Sequence, residues 1–367
     1  MGDPLRPDAE PSSGALPPPQ EAPVQVSEDA ARTWWRRLWA ATPYLLGLGV
    51  VVALVLAVSP QAFATAARRF DPVYAPIVAA LSFSYYFLQG VRWQPLLRAV
   101  GAKLSLRDTV VLNFSGQAVG LLPGGELARA VLASEVAKVE VGAAIATITV
   151  QELIYTVLLI AAAVPGALHH TVAAVGVSVA LVGVIAISAI LTIAPVFERV
   201  LALVQKIPVA KRFAPDVSEL QTDTVGLLRR WDTLSWSVIS ALQAVGTITM
   251  FWLVIQAIDP GRVSWPNAAF AYAVASIAGA ISMGPGGLGG FEAAGVGMLI
   301  VVGVPFEIAV AATVLQRAAD KGLGTLYGCI AYAYARQHFD LKNARVVRHG
   351  QRRVRRPDGP GDVPATT

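Results

Sequence analysis

The sequence predicts an all-α protein, a polytopic membrane helix bundle with about six full spans and two re-entrant or broken helical hairpins arranged as inverted repeats. Its 367 residues are 55% hydrophobic and only 14% charged, whereas a soluble domain carries about a quarter charged residues. Apolar runs recur along the chain at the length of about 20 residues that a membrane-spanning helix needs. The single cysteine, Cys329, excludes a disulfide scaffold.

The two ends of the chain differ from its apolar middle. Residues 1–30 contain seven prolines and no long apolar run, and such a composition does not bury enough surface to offset the entropy of ordering. We therefore predict a disordered cytoplasmic tail over residues 1–40, a transmembrane domain over residues 41–336 and a second disordered cytoplasmic tail over residues 337–367.

The C-terminal tail is strongly basic. Eight Lys and Arg lie between Arg336 and Arg356, with Asp340 as the one acid. Anionic lipid headgroups attract basic residues near the membrane surface by about 1 kcal/mol each, so we expect the tail to bind such headgroups. A solvated tail that only fixes the topology is the alternative. We expect no nucleic-acid partner, because no folded basic domain accompanies the tail.

The apolar segments divide into simple spans and interrupted ones. The simple spans are predicted at residues 43–59, 73–95, 143–165, 171–195, 234–258 and 308–335. Residues 109–122 are too short for one crossing of a hydrocarbon core about 30 Å thick, and residues 268–304 are too long for one. Both are interpreted as re-entrant segments. Tryptophans near the proposed boundaries, Trp93 and Trp236 among them, are expected to be interfacial anchors.

The distribution of basic residues predicts the orientation. If the N-terminus is cytoplasmic, most Lys and Arg fall in cytoplasmic segments, Arg92 and Arg129 included, while Arg68, Arg69 and Arg262 fall outside. The positive-inside rule expects such an asymmetry. We therefore predict a multi-pass protein of the inner (cytoplasmic) membrane with both termini in the cytoplasm.

The two interrupted segments resemble each other. Residues 113–126 and residues 276–292 both run from small and apolar residues into Pro-Gly-Gly and then to a glutamate, Glu126 or Glu292. Each is followed by a span with a charged residue near its start. In the predicted layout they enter the membrane from opposite sides, and paired interrupted segments of this kind indicate a transporter binding site. The alternative is that Pro-Gly-Gly is only a break between packed helices.

The chemistry of these segments suits an anion. Proline favours the first turn of a helix and glycine permits close backbone approach, so a helix beginning after each Pro-Gly-Gly would offer free N–H groups to a phosphate. We expect Arg129 and Arg317 to neutralise a lipid phosphate. Arg129 could instead be an interfacial charge that fixes the topology, and Arg317 could form an internal salt bridge to Glu292 or Glu152.

Charges inside the membrane cost at least about 2.5 kcal/mol each on insertion scales and are functional candidates by default. The predicted substrate-binding residues are Asn113, Pro123, Gly124, Gly125, Glu126, Arg129, Glu152, Pro285, Gly286, Gly287, Glu292 and Arg317. We predict no catalytic residue, metal or cofactor, because the chain has no zinc-spaced histidines, Walker loop or nucleophile elbow.

Two sequence blocks resemble the flippase-like membrane domain of the lysylphosphatidylglycerol synthase family. The first is Leu-Pro-Gly-Gly-Glu-Leu-Ala-Arg-Ala at residues 122–130, and the second is Gly-Pro-Gly-Gly-Leu-Gly-Gly-Phe-Glu at residues 284–292, followed by Leu-Gln-Arg at residues 315–317. The resemblance covers about residues 40–336. It implies an integral membrane protein that moves, or helps to move, a charged lipid between leaflets. Longer members join this domain to a soluble aminoacyl transferase, which this sequence does not contain, so lysyl transfer is not expected.

One stretch departs from the family pattern. Family members often carry Glu-Arg and an Asp near the start of the span after the first block. Here Glu152 stands where that arginine is expected and Tyr155 where the aspartate is expected. The resemblance therefore implies either a different headgroup preference or a structural compensation.

The leading hypothesis is a flippase-like transporter that moves or binds a membrane phospholipid or a prenyl-phosphate lipid. Two alternatives from other classes remain. One is a non-transporting membrane partner of an envelope-lipid enzyme, and the other is a small-anion transporter, because re-entrant helix ends also suit ions. Homo-oligomerisation also remains open.

Overall fold

The computed structural model describes residues 64–65, 67–120, 125–168, 182–183, 193, 195–199, 222–282 and 287–339. Within these residues the protein is helical and contains no strand, as the sequence predicts. The principal α-helices, numbered in chain order, are α1 (Ala75–Ala99), α2 (Leu106–Gln117), α3 (Ala128–Ala137), α4 (Val141–Ala167), α5 (Trp231–Ser235), α6 (Ser237–Ile258), α7 (Trp265–Ile281), α8 (Gly290–Val301), α9 (Phe306–Arg317) and α10 (Leu323–His338).

Four of the predicted simple spans correspond to observed helices. The segments 73–95, 143–165 and 234–258 are α1, α4 and α6, and the segment 308–335 falls within α9 and α10. Of the described helices, α4 and α6 are long and apolar enough to cross a membrane by length and composition. The predicted span 43–59, nearly all of 171–195, the predicted N-terminal tail and residues 340–367 of the predicted C-terminal tail lie outside the described residues. The predicted start of the C-terminal tail is wrong by two residues, because residues 337–338 still belong to α10.

Local sequence signals explain where the first helices begin. The Asp71 side chain accepts a hydrogen bond from the Val73 N–H in the 3₁₀ turn before α1. Ser105 caps α2 by accepting from the Asp108 N–H, and its hydroxyl donates to the Asp108 carboxylate at 2.6 Å. A Ser followed three residues later by an acid is a capping signature, and here it fixes the start of the first hairpin.

Each interrupted segment forms an antiparallel helical hairpin. In the first, α2 and α3 approach so closely that a Cβ atom on Gly116 would lie 2.7 Å from the Arg129 Cβ. In the second, α7 and α8 meet where Gly279 faces Phe291 and where Gly295 lies beside Ala275. A side chain on Gly116 would clash with α3, whereas one on Gly279 or Gly295 would require its neighbour to shift by a few tenths of an ångström.

In each hairpin, the connection forms a tight backbone turn just before the second helix begins. Gly125 begins a 3₁₀ turn, Gly125–Leu127, that leads into α3. Gly287 and Gly289 have φ angles of +74° and +86°, in the left-handed region that favours glycine. The expected helix after each Pro-Gly-Gly is therefore present, although in each case it starts a few residues later than the motif.

The helices that flank the two hairpins pack in a reciprocal manner. Helices α1 and α6 run antiparallel, since the Asp71 N–H donates to the Ala257 carbonyl near one end and Gln243 donates to the Tyr85 carbonyl farther along. Helix α4 packs against α7 of the second hairpin, with Gly166 against the Pro266 carbonyl. Helix α10 packs against α2 of the first hairpin. After each hairpin, a described helix thus contacts the first helix of the other hairpin.

A π-helical turn, Ala318–Gly322, joins α9 to α10. The Leu323 N–H reaches back to the Ala318 carbonyl, five residues earlier. Helix α9 packs against α8 and α6, whereas α10 packs against α2 and α1. The turn therefore lies where one continuous helical segment passes from the second hairpin to the first.

Candidate functional site: two ion pairs at the helical hairpins

The first hairpin holds a buried arginine that is paired with a glutamate of the following span. Arg129 Nη2 lies 2.9 Å from Glu152 Oε1. The Arg129 side chain is 1% exposed, whereas the Glu152 side chain is 42% exposed. The carboxylate is therefore the accessible member of the pair, and the arginine lies behind it.

A network of amides supports this pair. Arg129 Nη1 donates to Asn113 Oδ1 at 2.8 Å and to Gln151 Oε1 at 3.3 Å. Gln89 Nε2 donates to Glu152 Oε1, and Asn113 Nδ2 donates to Gln89 Oε1. Because every amide is both donor and acceptor, the network fixes the orientation of the guanidinium and compensates for its desolvation.

The position of Arg129 corrects two expectations. Arg129 is fully buried, so it is not an interfacial charge. Its guanidinium lies 5.4 Å from the ring centre of Trp93, and Trp93 is also fully buried and donates to Thr147 Oγ1 at 2.7 Å. Trp93 is therefore a core residue under the arginine and not an interfacial anchor, because its N–H finds a protein partner inside the bundle.

The second hairpin holds an ion pair with the opposite order along the chain. Glu292 lies in the first turn of α8, and its Oε1 accepts from Arg317 Nε at 2.9 Å. Its other oxygen, Oε2, accepts from the Gly289 N–H at 2.6 Å. The Arg317 guanidinium also lies 4.8 Å from the ring centre of Phe291. The alternative of an internal salt bridge between Arg317 and Glu292 is thus the one observed.

The N-terminus of α8 already carries an anion. Glu292, of which 2% of the side chain is exposed, binds the free backbone N–H that precedes the helix. A carboxylate at this position satisfies an unpaired donor and interacts favourably with the helix dipole. A ligand phosphate at this helix end would have to compete with Glu292.

Aromatic and polar side chains connect the two hairpin regions. The buried Tyr86 donates through its hydroxyl to Asp320 Oδ1 at 3.0 Å, which joins α1 to the π-helical turn. Its neighbour Tyr85 packs edge-on against Tyr155 at 6.0 Å between ring centres, and Tyr155 hydrogen-bonds with Thr247. These contacts join α1 to the π-helical turn and join α1, α4 and α6 to one another.

The structure brings together the charged members of the predicted site in two groups. Asn113, Arg129 and Glu152 meet at the first hairpin, and Glu292 and Arg317 meet at the second. Gly125 and Gly287 lie in the hairpin connections. The remaining predicted residues Pro123, Gly124, Pro285 and Gly286 lie outside the described residues, and Glu126 is described only for its backbone.

These clusters also contain three residues that the sequence did not predict, which are Gln89, Gln151 and Tyr86. Gln89 and Tyr86 are buried inside α1. The sequence does carry a signal for these two residues, because they are polar, lie one turn apart and occur within an apolar span. Such residues hydrogen-bond to neighbouring helices. In the part of the chain that the structure describes, no group of three His, Cys, Asp or Glu side chains is arranged to hold a metal ion.

The fold and the two hairpin ion pairs define a helical membrane protein with charged residues buried inside its bundle. The chain matches the family model described as the lysylphosphatidylglycerol synthase TM region over residues 44–328, and it belongs to this family. The match extends over most of the chain and includes both hairpins. A search of curated proteins found no match.

Proposed function

We propose that this protein is a flippase-like transporter that moves a phosphate-bearing lipid between the leaflets of the inner membrane. The observation that carries the proposal is the occurrence of two glycine-broken hairpins, each of which brings an Arg–Glu pair into the bundle. Family membership supports a function related to membrane lipids. A structural bundle has no need of buried ion pairs, because each buried charge costs desolvation energy.

The proposed architecture has two halves of inverted topology with re-entrant hairpins. The antiparallel packing of α1 against α6 supports it, since these helices precede the two hairpins and run in opposite directions. The reciprocal packing of α4 on α7 and of α10 on α2 supports a two-fold relation between the halves. Transporters with inverted repeats place the substrate near the midplane, where broken helices meet.

In the proposed mechanism, the lipid headgroup enters a polar groove while its acyl or prenyl tails stay in the bilayer. The accessible Glu152 carboxylate marks the wall of this groove at the first hairpin, with Arg129 directly behind it. A lipid phosphate would replace a glutamate as the partner of Arg129 or Arg317. Exchange of one anionic partner for another keeps the arginine paired and lowers the cost of moving a charged headgroup through hydrocarbon.

A leaflet-specific assay tests the proposal. The full chain is reconstituted into vesicles that contain fluorescent phosphatidylglycerol, and a membrane-impermeant quencher measures the fraction of label that reaches the outer leaflet. Wild type is expected to increase this fraction over protein-free vesicles. Arg317→Ala is expected to reduce the rate at least tenfold, because it removes the cation that neutralises the phosphate. If wild type matches protein-free vesicles for phosphatidylglycerol and for a prenyl phosphate, the transport proposal is wrong.

Arg262→Ala is the matched control. Arg262 is an exposed arginine whose guanidinium donates to the Gly303 carbonyl, and it belongs to neither hairpin pair. Its substitution is expected to leave lipid movement unchanged. Flux of a small anion without lipid movement would favour an anion transporter. A non-transporting partner protein would be favoured by the absence of lipid movement together with a cellular function that survives loss of both arginines but not loss of the C-terminal tail.

A further inference from the structure

A second arginine-lined region shares no lining residue with the two ion pairs. A cavity of about 210 Å³ opens between the C-terminal end of α1 and the start of α6. Its lining residues are Arg92, Pro95, Leu96, Arg98, Ala99, Arg230, Thr233 and Trp236. Three of these are arginines, and the lining contains no acidic residue.

Arg92 is the decisive member of this lining. It is fully buried, with 0% of its surface exposed. Its Nε, Nη1 and Nη2 atoms have no hydrogen-bond partner in the described part of the chain. Glu152 acts on it electrostatically, but Glu152 Oε1 is already hydrogen-bonded to Arg129 and Gln89. A guanidinium carries five donors, and leaving them unsatisfied in the interior is costly.

The rest of the cavity suits a phosphate group with an attached apolar chain. Arg98 and Arg230 are exposed at the opening, and guanidinium groups bind phosphate oxygens in a bidentate manner. Trp236, which is 42% exposed, offers an apolar surface next to them, together with Pro95. The volume is below the range of about 300–1,000 Å³ typical of drug-sized ligands, so it fits a headgroup and not a whole lipid.

We infer that this cavity is a phosphate-binding site, with Arg92 at its inner wall and Arg98 and Arg230 at its opening. The ligand is a phosphomonoester or phosphodiester group, either on a lipid or free. The cavity shares no lining residue with the two hairpin ion pairs, and its ligand binding does not depend on lipid transport. In the predicted orientation it opens toward the cytoplasmic face, where a lipid of the inner leaflet presents its phosphate.

Binding measurements on the purified full chain in detergent test this inference. The probes are dioctanoyl phosphatidic acid, inorganic phosphate and the uncharged dioctanoylglycerol, each titrated by calorimetry. Phosphatidic acid is expected to bind saturably to wild type. Arg230→Gln and Arg92→Gln are each expected to weaken its binding about tenfold, the size of one charge-assisted contact. Competition by inorganic phosphate would identify the free anion as sufficient, whereas binding of phosphatidic acid alone would identify a lipid ligand.

Arg229→Gln is the matched control, because Arg229 is the exposed neighbour of Arg230 and does not line the cavity. It removes the same charge and is expected to leave the affinity unchanged. Equal weakening by Arg229→Gln and Arg230→Gln would overturn the site, as would equal binding of dioctanoylglycerol or no saturable binding of either phosphate probe. If Arg92→Gln fails to fold, the double variant Arg98→Gln/Arg230→Gln, monitored by circular dichroism, decides the question by the same criterion.

Discussion

The two hairpins bring an arginine and a glutamate together by opposite arrangements. In the first, the hairpin supplies the cation, Arg129, and the following span supplies Glu152. In the second, the hairpin supplies the anion, Glu292, and the following span supplies Arg317. Both hairpin regions thus contain an Arg–Glu pair, but the hairpin and the following span supply the charges in opposite order.

The two ion pairs also differ in the hydrogen-bond partners that hold them in place. Arg129 is held by three side-chain acceptors, those of Asn113, Gln151 and Glu152. Glu292 instead binds a backbone N–H at the start of its own helix. The first pair therefore depends on a side-chain network between helices, whereas the second depends on helix capping within one hairpin. The two should therefore respond differently to the same chemical change.

Removal of the arginine should give the largest difference in stability loss between the two ion pairs. Arg129→Met leaves Asn113, Gln151 and Glu152 without their shared donor, and we expect the free energy of unfolding to fall by about 3–5 kcal/mol. Arg317→Met should cost less, about 1–3 kcal/mol, because Glu292 keeps its backbone partner. Unfolding in detergent, followed by circular dichroism, measures both. Equal losses would show that the amide network adds nothing to the first pair.

Neutralisation of the glutamate should reverse this order, with the larger loss of stability at the second pair. Glu292→Gln preserves a carbonyl oxygen for the Gly289 N–H but removes the buried charge that pairs with Arg317, at a cost of about 1–3 kcal/mol. Glu152→Gln should cost under about 1 kcal/mol, because its carboxylate is partly exposed and therefore screened. The same unfolding assay compares them. A larger loss for Glu152→Gln would contradict the difference in burial.

The glycines at the helix contacts of the two hairpins should differ in how well they tolerate substitution by alanine. A Cβ on Gly116 would lie 3.0 Å from the Arg129 backbone nitrogen, whereas a Cβ on Gly295 would lie 3.1 Å from the Thr313 Cγ2 methyl group. Backbone yields less than a side chain, so Gly116→Ala should destabilise by about 1–3 kcal/mol and Gly295→Ala by less. Melting temperatures of the two variants test this order, and Gly297→Ala, which meets no atom within 4 Å, is the control.

The aromatic partners of the arginines should give the smallest effects. Trp93→Phe keeps a ring under Arg129 but loses the hydrogen bond to Thr147, and a cost of about 1 kcal/mol is expected. Phe291→Leu removes the ring beside Arg317 and should cost about 0.5–1 kcal/mol. A double-mutant cycle of Phe291→Leu with Arg317→Met isolates the cation–π contribution. If the two substitutions are strictly additive in that cycle, the cation–π contact does not stabilise the second pair.

Sequence patterns predicted much of the helical architecture and the place of the chain breaks. Length, apolar runs and the Pro-Gly-Gly motifs indicate α1, α4, α6 and both hairpins because helix length and backbone freedom are local properties. The repeated motif also singled out Glu292 and Arg317, whose pairing the structure reports. These residues stand out because a charge within an apolar stretch is visible without knowledge of packing.

The networks around the charges were beyond sequence reasoning. Arg92 and Arg129 were assigned to cytoplasmic segments because both lie near the ends of apolar runs, yet both are fully buried. Burial there depends on which helices pack over them, and that is set by contacts between residues far apart in the chain. The roles of Gln89 and Gln151 likewise exist only once α1 and α4 lie side by side.

The π-helical turn at Ala318–Gly322 has a consequence for how one span serves two neighbours. A turn closed five residues back accommodates one residue more than an α-helical turn, and each residue of a helix accounts for about 100° of rotation. The face that α10 presents is therefore rotated by about that angle from the face that α9 presents. This change of phase directs Gly324 toward Tyr86 and Gly328 toward α2, so a regular helix through the same residues would lose its fit to one of its two neighbours.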